Sequence, residues 1–277
     1  MCYNTISKIK EQNIVVLNNL KHFDLKTIAD SGQCFRIFQV GDNIFDVLSM
    51  DQWIRVWYDP QKNIYVFGCE DEEFNLFWKY YFDLDTDYTA YHNAIQQSND
   101  QFLKNAADYG SGMRILRQSY WESIVSFIIS QNNNIPRIKK SIEMFCWKFG
   151  KPITKYGITR FSFPYKSDLI NIKLEDLSDL GLGYRDKYIY GVCVCSPSLL
   201  KPDKLLKVSG IGPKVESCIR LFGCHEMDKY PIDTWIKKLI NEIYEGHFDA
   251  TSYSGFKGFI QQLQFYYYRH LKMKGGD

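Results

Sequence analysis

The chain has 277 residues, 45% of them hydrophobic and 24% charged, with a formal net charge of +2. That apolar share excludes a disordered chain, and the length is ample for a core that needs no staples. No apolar run approaches the roughly 20 residues of a membrane helix, the best being interrupted by Ser126. Lys8 and Lys10 have no apolar stretch or small-residue cleavage site behind them, so a secretory signal is not expected.

The first hundred residues read as sheet. Cys34 to Val40, Asn43 to Leu48, Gln52 to Tyr58 and Asn63 to Phe67 are short aromatic and β-branched runs. Gly41-Asp42 and Asp59-Pro60-Gln61-Lys62 supply turns between them, which predicts an antiparallel meander. Phe74, Phe77, Trp78 and Tyr81 then fall at the spacing of an amphipathic helix.

From about Asn105 the period is helical almost throughout. Residues 121–129 predict one helix, and Pro136 opens another whose apolar face is Ile138, Ile142, Phe145 and Phe149. Further helices are expected near 174–180, 186–194, 202–207, 213–222, 234–244 and 258–272. The reading is an α+β chain. Its first part, 1–104, is an antiparallel β domain with flanking helices, and its second, 105–277, is an all-helical domain.

Eight cysteines, at 2, 34, 69, 146, 193, 195, 218 and 224, form no CxxC pair. Without an export signal the expected state is the free thiol, mostly buried. Charge is unevenly spread: residues 70–100 hold eight acids against Lys79, and residues 131–160 hold seven bases against Glu143. One face turned toward a polyanion gives such an asymmetry, and so does a solvated basic helix face.

The most informative stretch is Leu205 to Val215, where a helix ends in a tight turn and another starts at Pro213. Gly210 and Gly212 let the backbone turn sharply and come close to another surface. The N–H groups that open the second helix then suit an anion such as a DNA phosphate, although any helical hairpin uses glycine. Lys214 stands in the first turn, where the helix dipole disfavours a cation and favours the neutral amine of a nucleophile. Nineteen residues later Asp233 immediately precedes a helix, as an ordinary N-cap or as a carboxylate held rigidly beside that lysine.

Hairpin, lysine and aspartate in this order resemble the helix-hairpin-helix DNA glycosylase superfamily, with the hairpin at 206–214. Ser31-Gly32-Gln33-Cys34-Phe35-Arg36, Asn132-Asn133-Asn134-Ile135-Pro136-Arg137, Leu180-Gly181-Leu182-Gly183-Tyr184-Arg185 and the G-x-x-Q-x-x-x-F of Gly258 to Phe265 narrow the likeness. Together they resemble the 8-oxoguanine DNA glycosylases with an N-terminal β domain, over residues from about 31 to 269.

The resemblance implies a base-excision-repair enzyme, a DNA N-glycosylase with AP lyase activity, acting as a monomer on duplex DNA that holds 8-oxoguanine opposite cytosine. Lys214 would be the nucleophile that forms a Schiff base, and Asp233 would stabilise charge on the sugar. Gly32, Cys218, Gln261 and Phe265 would line the lesion-base pocket, with the Gly32 carbonyl accepting from N7–H. Asn132 would fill the gap left by the flipped base, Arg137 and Arg185 would bind the widowed cytosine, and Tyr184 would wedge the stack.

Cys218 and Phe265 read equally well as core. Trp235 stands where some relatives have a phosphate-binding histidine. No cofactor is expected, and no iron–sulfur cluster, because no cysteine follows Cys224. No metal is required, although the carbonyls of Leu206, Val208 and Ile211 offer a structural cation site. Such an enzyme belongs in the cytoplasm or nucleoid of a bacterium or the nucleus of a eukaryote. Two alternatives remain: a related glycosylase for alkylated bases, which commonly lacks the lysine, and a non-catalytic DNA-binding module, which needs only the glycines.

Overall fold

A computed structural model describes residues 13–274, so Cys2, Lys8 and Lys10 lie outside the described residues. The expected meander is present as β2 (Ile37–Gly41), β3 (Ile44–Ser49), β4 (Gln52–Asp59) and β5 (Ile64–Phe67). A strand that the sequence reading missed, β1 (Val15–Asn18), returns to pair with β5, so the sheet order is β1-β5-β4-β3-β2, antiparallel throughout. One face of β3 and β4 buries Val47, Ile54 and Val56 against Leu25 and Ile28 of α1 (Leu25–Asp30) and against Phe74, Trp78 and Tyr81. Those three aromatics lie on α2 (residues 71–81), the stripe that the spacing predicted, with a π-helical centre over Phe74–Trp78.

The helical part comprises α3 (Tyr88–Gln97), α4 (Gln101–Tyr109), α5 (Tyr120–Ile129), α6 (Ile135–Phe149), α7 (Asp186–Val194), α8 (Pro213–Gly223), α9 (Thr234–Ile243) and α10 (Lys257–Lys274). Two corrections apply to the all-helical expectation. Pro152–Lys155 and Ile158–Phe161 form a two-stranded hairpin, β6–β7, and the segments 174–180 and 202–207 are 3-10 rather than α-helical. A large core joins Ile124, Val125 and Ile128 of α5, Phe145 of α6, Ile219 and Phe222 of α8 and Phe259 and Leu263 of α10. Tyr88, Ile95 and Leu103 of α3 and α4 pack in this larger core, not under the sheet.

The basic count of residues 131–160 is partly spent inward. Arg160 and Arg55 both pair with the fully buried Asp46, at 3.0 and 2.6 Å, and Lys155 bonds the Trp53 carbonyl. These contacts tie β6–β7 to the sheet, so they are structural charges rather than a surface for a polyanion. The seven cysteines among the described residues are free thiols, five of them buried.

Candidate active site

The turn before α8 shows why its two glycines differ. Gly210 has φ +87°, and a β-carbon there would lie 2.3 Å from the Tyr188 ring. Gly212 has an ordinary φ of −88° and opens onto empty space. Only Gly210 is therefore demanded by the fold, which corrects the reading that both shape the turn. Gly212 leaves the first amides of α8 uncovered, as an incoming anion would require. Gln131 ties the loop to the end of α5 by donating to the Gly210 carbonyl at 2.9 Å.

Lys214 is half-buried on the first turn of α8, its Nζ 5.8 Å from the centroid of Phe127. Cys218, one helical turn later, touches it side chain to side chain. Burial pushes the Cys218 thiol up; the Lys214 charge opposes that and the Asp233 charge adds to it. The thiol therefore stays protonated, and both charges act on one buried spot. Asp233 caps α9, with Oδ1 accepting from the Ile236 amide at 2.8 Å, so its carboxylate cannot swing freely.

Gly258 is where α10 meets α8: a β-carbon there would stand 2.2 Å from Leu221. That close approach sets the helix of Gln261 and Phe265 against the helix of Lys214 and Cys218. Gln261 is buried, its Oε1 accepting from Gln262 at 3.0 Å. Phe265 is only half-buried and belongs to neither core, unlike Phe259 on the same helix. Its Cε1 lies 3.4 Å from the point where a β-carbon on Gly32 would stand.

Gly32 itself has φ +80°, a left-handed turn that a side chain would strain. Gln33, which the sequence reading left without a role, holds that turn. Its fully buried amide donates to the Arg114 carbonyl and accepts from the Leu116 amide, both at 2.8 Å, while Gln118 bonds its backbone oxygen at 2.6 Å. A glutamine beside a glycine is the only signal in the sequence, and nothing local says which distant segment it would bond.

Asn132, Arg137, Tyr184 and Arg185 gather at a second place, between the start of α6 and the start of α7. Asn132 is exposed at φ +45°, and its side chain makes no hydrogen bond among the described residues. Tyr184 is 52% exposed, with its edge to Tyr188. Arg137 is exposed and makes one long bond, 3.4 Å to the Gly181 carbonyl. Arg185 is different: it is buried and donates to the carbonyls of Gln131, Asn132 and Leu182. Trp235 is half-buried with its edge to Tyr268.

Of the carbonyls offered for a cation, that of Val208 already accepts from the Ile211 amide at 3.0 Å. Among the described residues no three His, Cys, Asp or Glu side chains group as metal ligands.

Known proteins share this fold. Residues 15–124 match the family described as the N-terminal domain of 8-oxoguanine DNA glycosylase. The structure of MBOgg1 in complex with a low-affinity DNA ligand superposes with a TM-score of 0.86 at 31% identity, covering 94% of this chain and 96% of that one. The chain belongs to the 8-oxoguanine DNA glycosylase family. Another solved member, the Clostridium acetobutylicum 8-oxoguanine glycosylase/lyase with double-stranded DNA containing cytosine opposite 8-oxoG, superposes at 0.84 with 30% identity over 94% and 96% of the two chains. The N-glycosylase/DNA lyase of Saccharomyces cerevisiae is 33% identical over 159 residues, which is 48% of this chain and 42% of that relative. The match therefore spans less than half of the yeast family member's length.

Proposed function

We propose that this chain removes 8-oxoguanine opposite cytosine from duplex DNA and then nicks the strand as an AP lyase. The observation that carries the reading is the contact of Lys214 with Cys218 under the charge of the capped Asp233. Membership of the family and the likeness to its solved 8-oxoguanine glycosylase/lyase support the substrate class.

The nucleotide must first leave the stack, because C1′ and the base edges are inaccessible inside a duplex. The Lys214 amine then bonds C1′ through its lone pair while the C1′–N9 bond breaks; the C1′–N9 electron pair leaves with the base, which takes up the proton that the amine sheds. Asp233 offsets the positive charge that builds on the sugar. Ring opening of the sugar leaves an imine between Lys214 and C1′. Loss of a C2′ proton then expels the 3′ phosphate, and water releases the lysine. Gly32, Cys218, Gln261 and Phe265 would hold the base, Asn132 and Tyr184 would occupy the gap, and Arg137 would meet the cytosine, with Arg185 holding the 131–132 turn in place. This chemistry draws on side chains alone and needs no cofactor.

The test is borohydride trapping on a duplex with one 8-oxoguanine. Wild type should give a covalent adduct, while Lys214→Gln should bind the lesion yet neither excise nor trap it. An undiminished adduct in that variant would move the nucleophile elsewhere. Retained binding without excision by wild type would favour a non-catalytic module, and excision of alkylated bases alone the related specificity.

A further inference from the structure

Gln261, Phe265 and Arg269 stand at successive turns along one face of α10. The Arg269 guanidinium carbon lies 5.3 Å from the Phe265 ring centroid, so cation and ring hold one another. Its Nη2 donates to the Asp30 carbonyl at 2.6 Å, at the end of α1 and two residues before Gly32. Its Nη1 lies 3.6 Å from the point where a β-carbon on Gly32 would stand, the same point that Phe265 approaches to 3.4 Å. One guanidinium therefore packs on the ring, faces the open side of the glycine and bonds the helix end that precedes it.

Arg269 is not an ordinary brace. Arg114 shows what that looks like: its donors are spent on the carbonyls of Lys21, His22, Asp83 and Thr86. Arg269 bonds one carbonyl and leaves Nη1 buried with no partner. A buried donor without an acceptor is costly, and more so when it is charged. Such a cost marks a place set by what the group holds together rather than by its own satisfaction.

We propose that Arg269 is a positioning residue for lesion recognition, fixing the ring of Phe265 against the Gly32 turn. A flipped purine then meets its stacking surface and the acceptor for N7–H in one register. This rests on the pocket assigned to Gly32 and Phe265 under the proposed function. Arg269 touches neither the sugar nor Lys214 in this role; it acts through Gly32 and Phe265.

The experiment compares duplexes whose 2′-fluorinated sugar resists cleavage, carrying 8-oxoguanine, 7-deaza-8-oxoguanine or guanine. The deaza base keeps the shape and the C8 oxygen but has C–H in place of N7–H. Wild type should bind the 8-oxoguanine duplex about tenfold tighter than the deaza duplex, the scale of one well-made hydrogen bond. Arg269→Leu should bring that ratio close to one by weakening the 8-oxoguanine duplex more than the deaza duplex. Arg269→Lys keeps the charge and a donor for Asp30, and should keep most of the ratio. Melting curves establish that each variant is folded, and Arg269→Gln replaces the leucine variant if that one is not.

A folded variant lacking the guanidinium that keeps the wild-type ratio, or that weakens all three duplexes equally, overturns the proposal. Wild type binding both lesions alike overturns the Gly32 assignment and this proposal with it. That outcome is read from wild type alone, so the two failures are told apart.

Discussion

Arg185 holds Asn132 by its backbone: Nη2 donates to the Asn132 carbonyl at 2.8 Å, and Nε to the Gln131 carbonyl at 2.7 Å. The residue at the tip of the left-handed turn is thus displayed by a guanidinium that is itself buried. Arg137, 48 positions earlier, presents its fork to solvent.

The two arginines are therefore separable by mutation. Arg137→Ala should leave the melting temperature unchanged and relax discrimination among the four opposite bases by about 1–3 kcal/mol. Arg185→Ala should lower stability by about 2–3 kcal/mol, because carbonyls lose their donors, and should weaken DNA binding through the loosened 131–132 turn. The measurements are thermal unfolding and single-turnover excision on four duplexes. Unchanged stability in Arg185→Ala would mean that those carbonyls find water, and that the arginine is free to read a base.

Phe265 and Phe259 lie on one helix and should respond oppositely to truncation. Phe259 is fully buried in the larger core, so Phe259→Ala should cost about 3–5 kcal/mol of stability. Phe265 packs in neither core. Phe265→Ala should leave unfolding nearly intact and remove base stacking worth about 1–3 kcal/mol from binding and excision of lesion DNA. A large fall in melting temperature with normal excision by the folded fraction would place Phe265 in the core.

The hairpin glycines make a similar pair. Gly210→Ala forces a β-carbon into the Tyr188 ring at a left-handed φ and should destabilise by about 2 kcal/mol or more. Gly212→Ala meets open space at an ordinary φ, so stability should hold or rise slightly. Its methyl would stand before the first amides of α8, and affinity for undamaged duplex should fall. Equal DNA binding by Gly212→Ala and wild type would show that no backbone approaches there.

Stability should also depend on pH through His92. Burial pushes its imidazole down to about 4, and His22, stacked on it at 4.1 Å, adds to the fall. Its Nε2 is buried without a partner. Between about 4 and its ordinary value of 6.5 the unfolded chain binds a proton that the folded chain refuses, so stability rises with pH across that window. Acidification through 6.5 should lower the melting temperature, and His92→Phe should flatten that part of the profile. A variant with the wild-type slope would assign the effect to another group.

Much of this protein is local chemistry and was legible from the chain itself. Turn residues between β-branched runs specify the meander, because backbone dihedrals answer to immediate neighbours. The glycine at 210 and the cap Asp233 declare themselves for the same reason, with the cap accepting from an amide three residues on. Lys214 and Cys218 share a face by helical spacing alone. The missed strand β1 is four residues long and is a strand only because β5 offers it an edge. The hairpin β6–β7 likewise exists because Asp46 and Trp53 hold its Arg160 and Lys155.

Tertiary structure alone decided which polar groups meet. Arg269 and Asp30 are 239 residues apart, Gln33 and Leu116 are 83, and no periodicity encodes either bond. A guanidinium or amide reads the same in sequence whether it faces water, a nucleotide or a distant carbonyl. Burial decides between them: once desolvated, the group takes whichever acceptor the packing of α1, α5 and α10 brings within 3 Å, since an unmet donor there costs more than any local preference supplies.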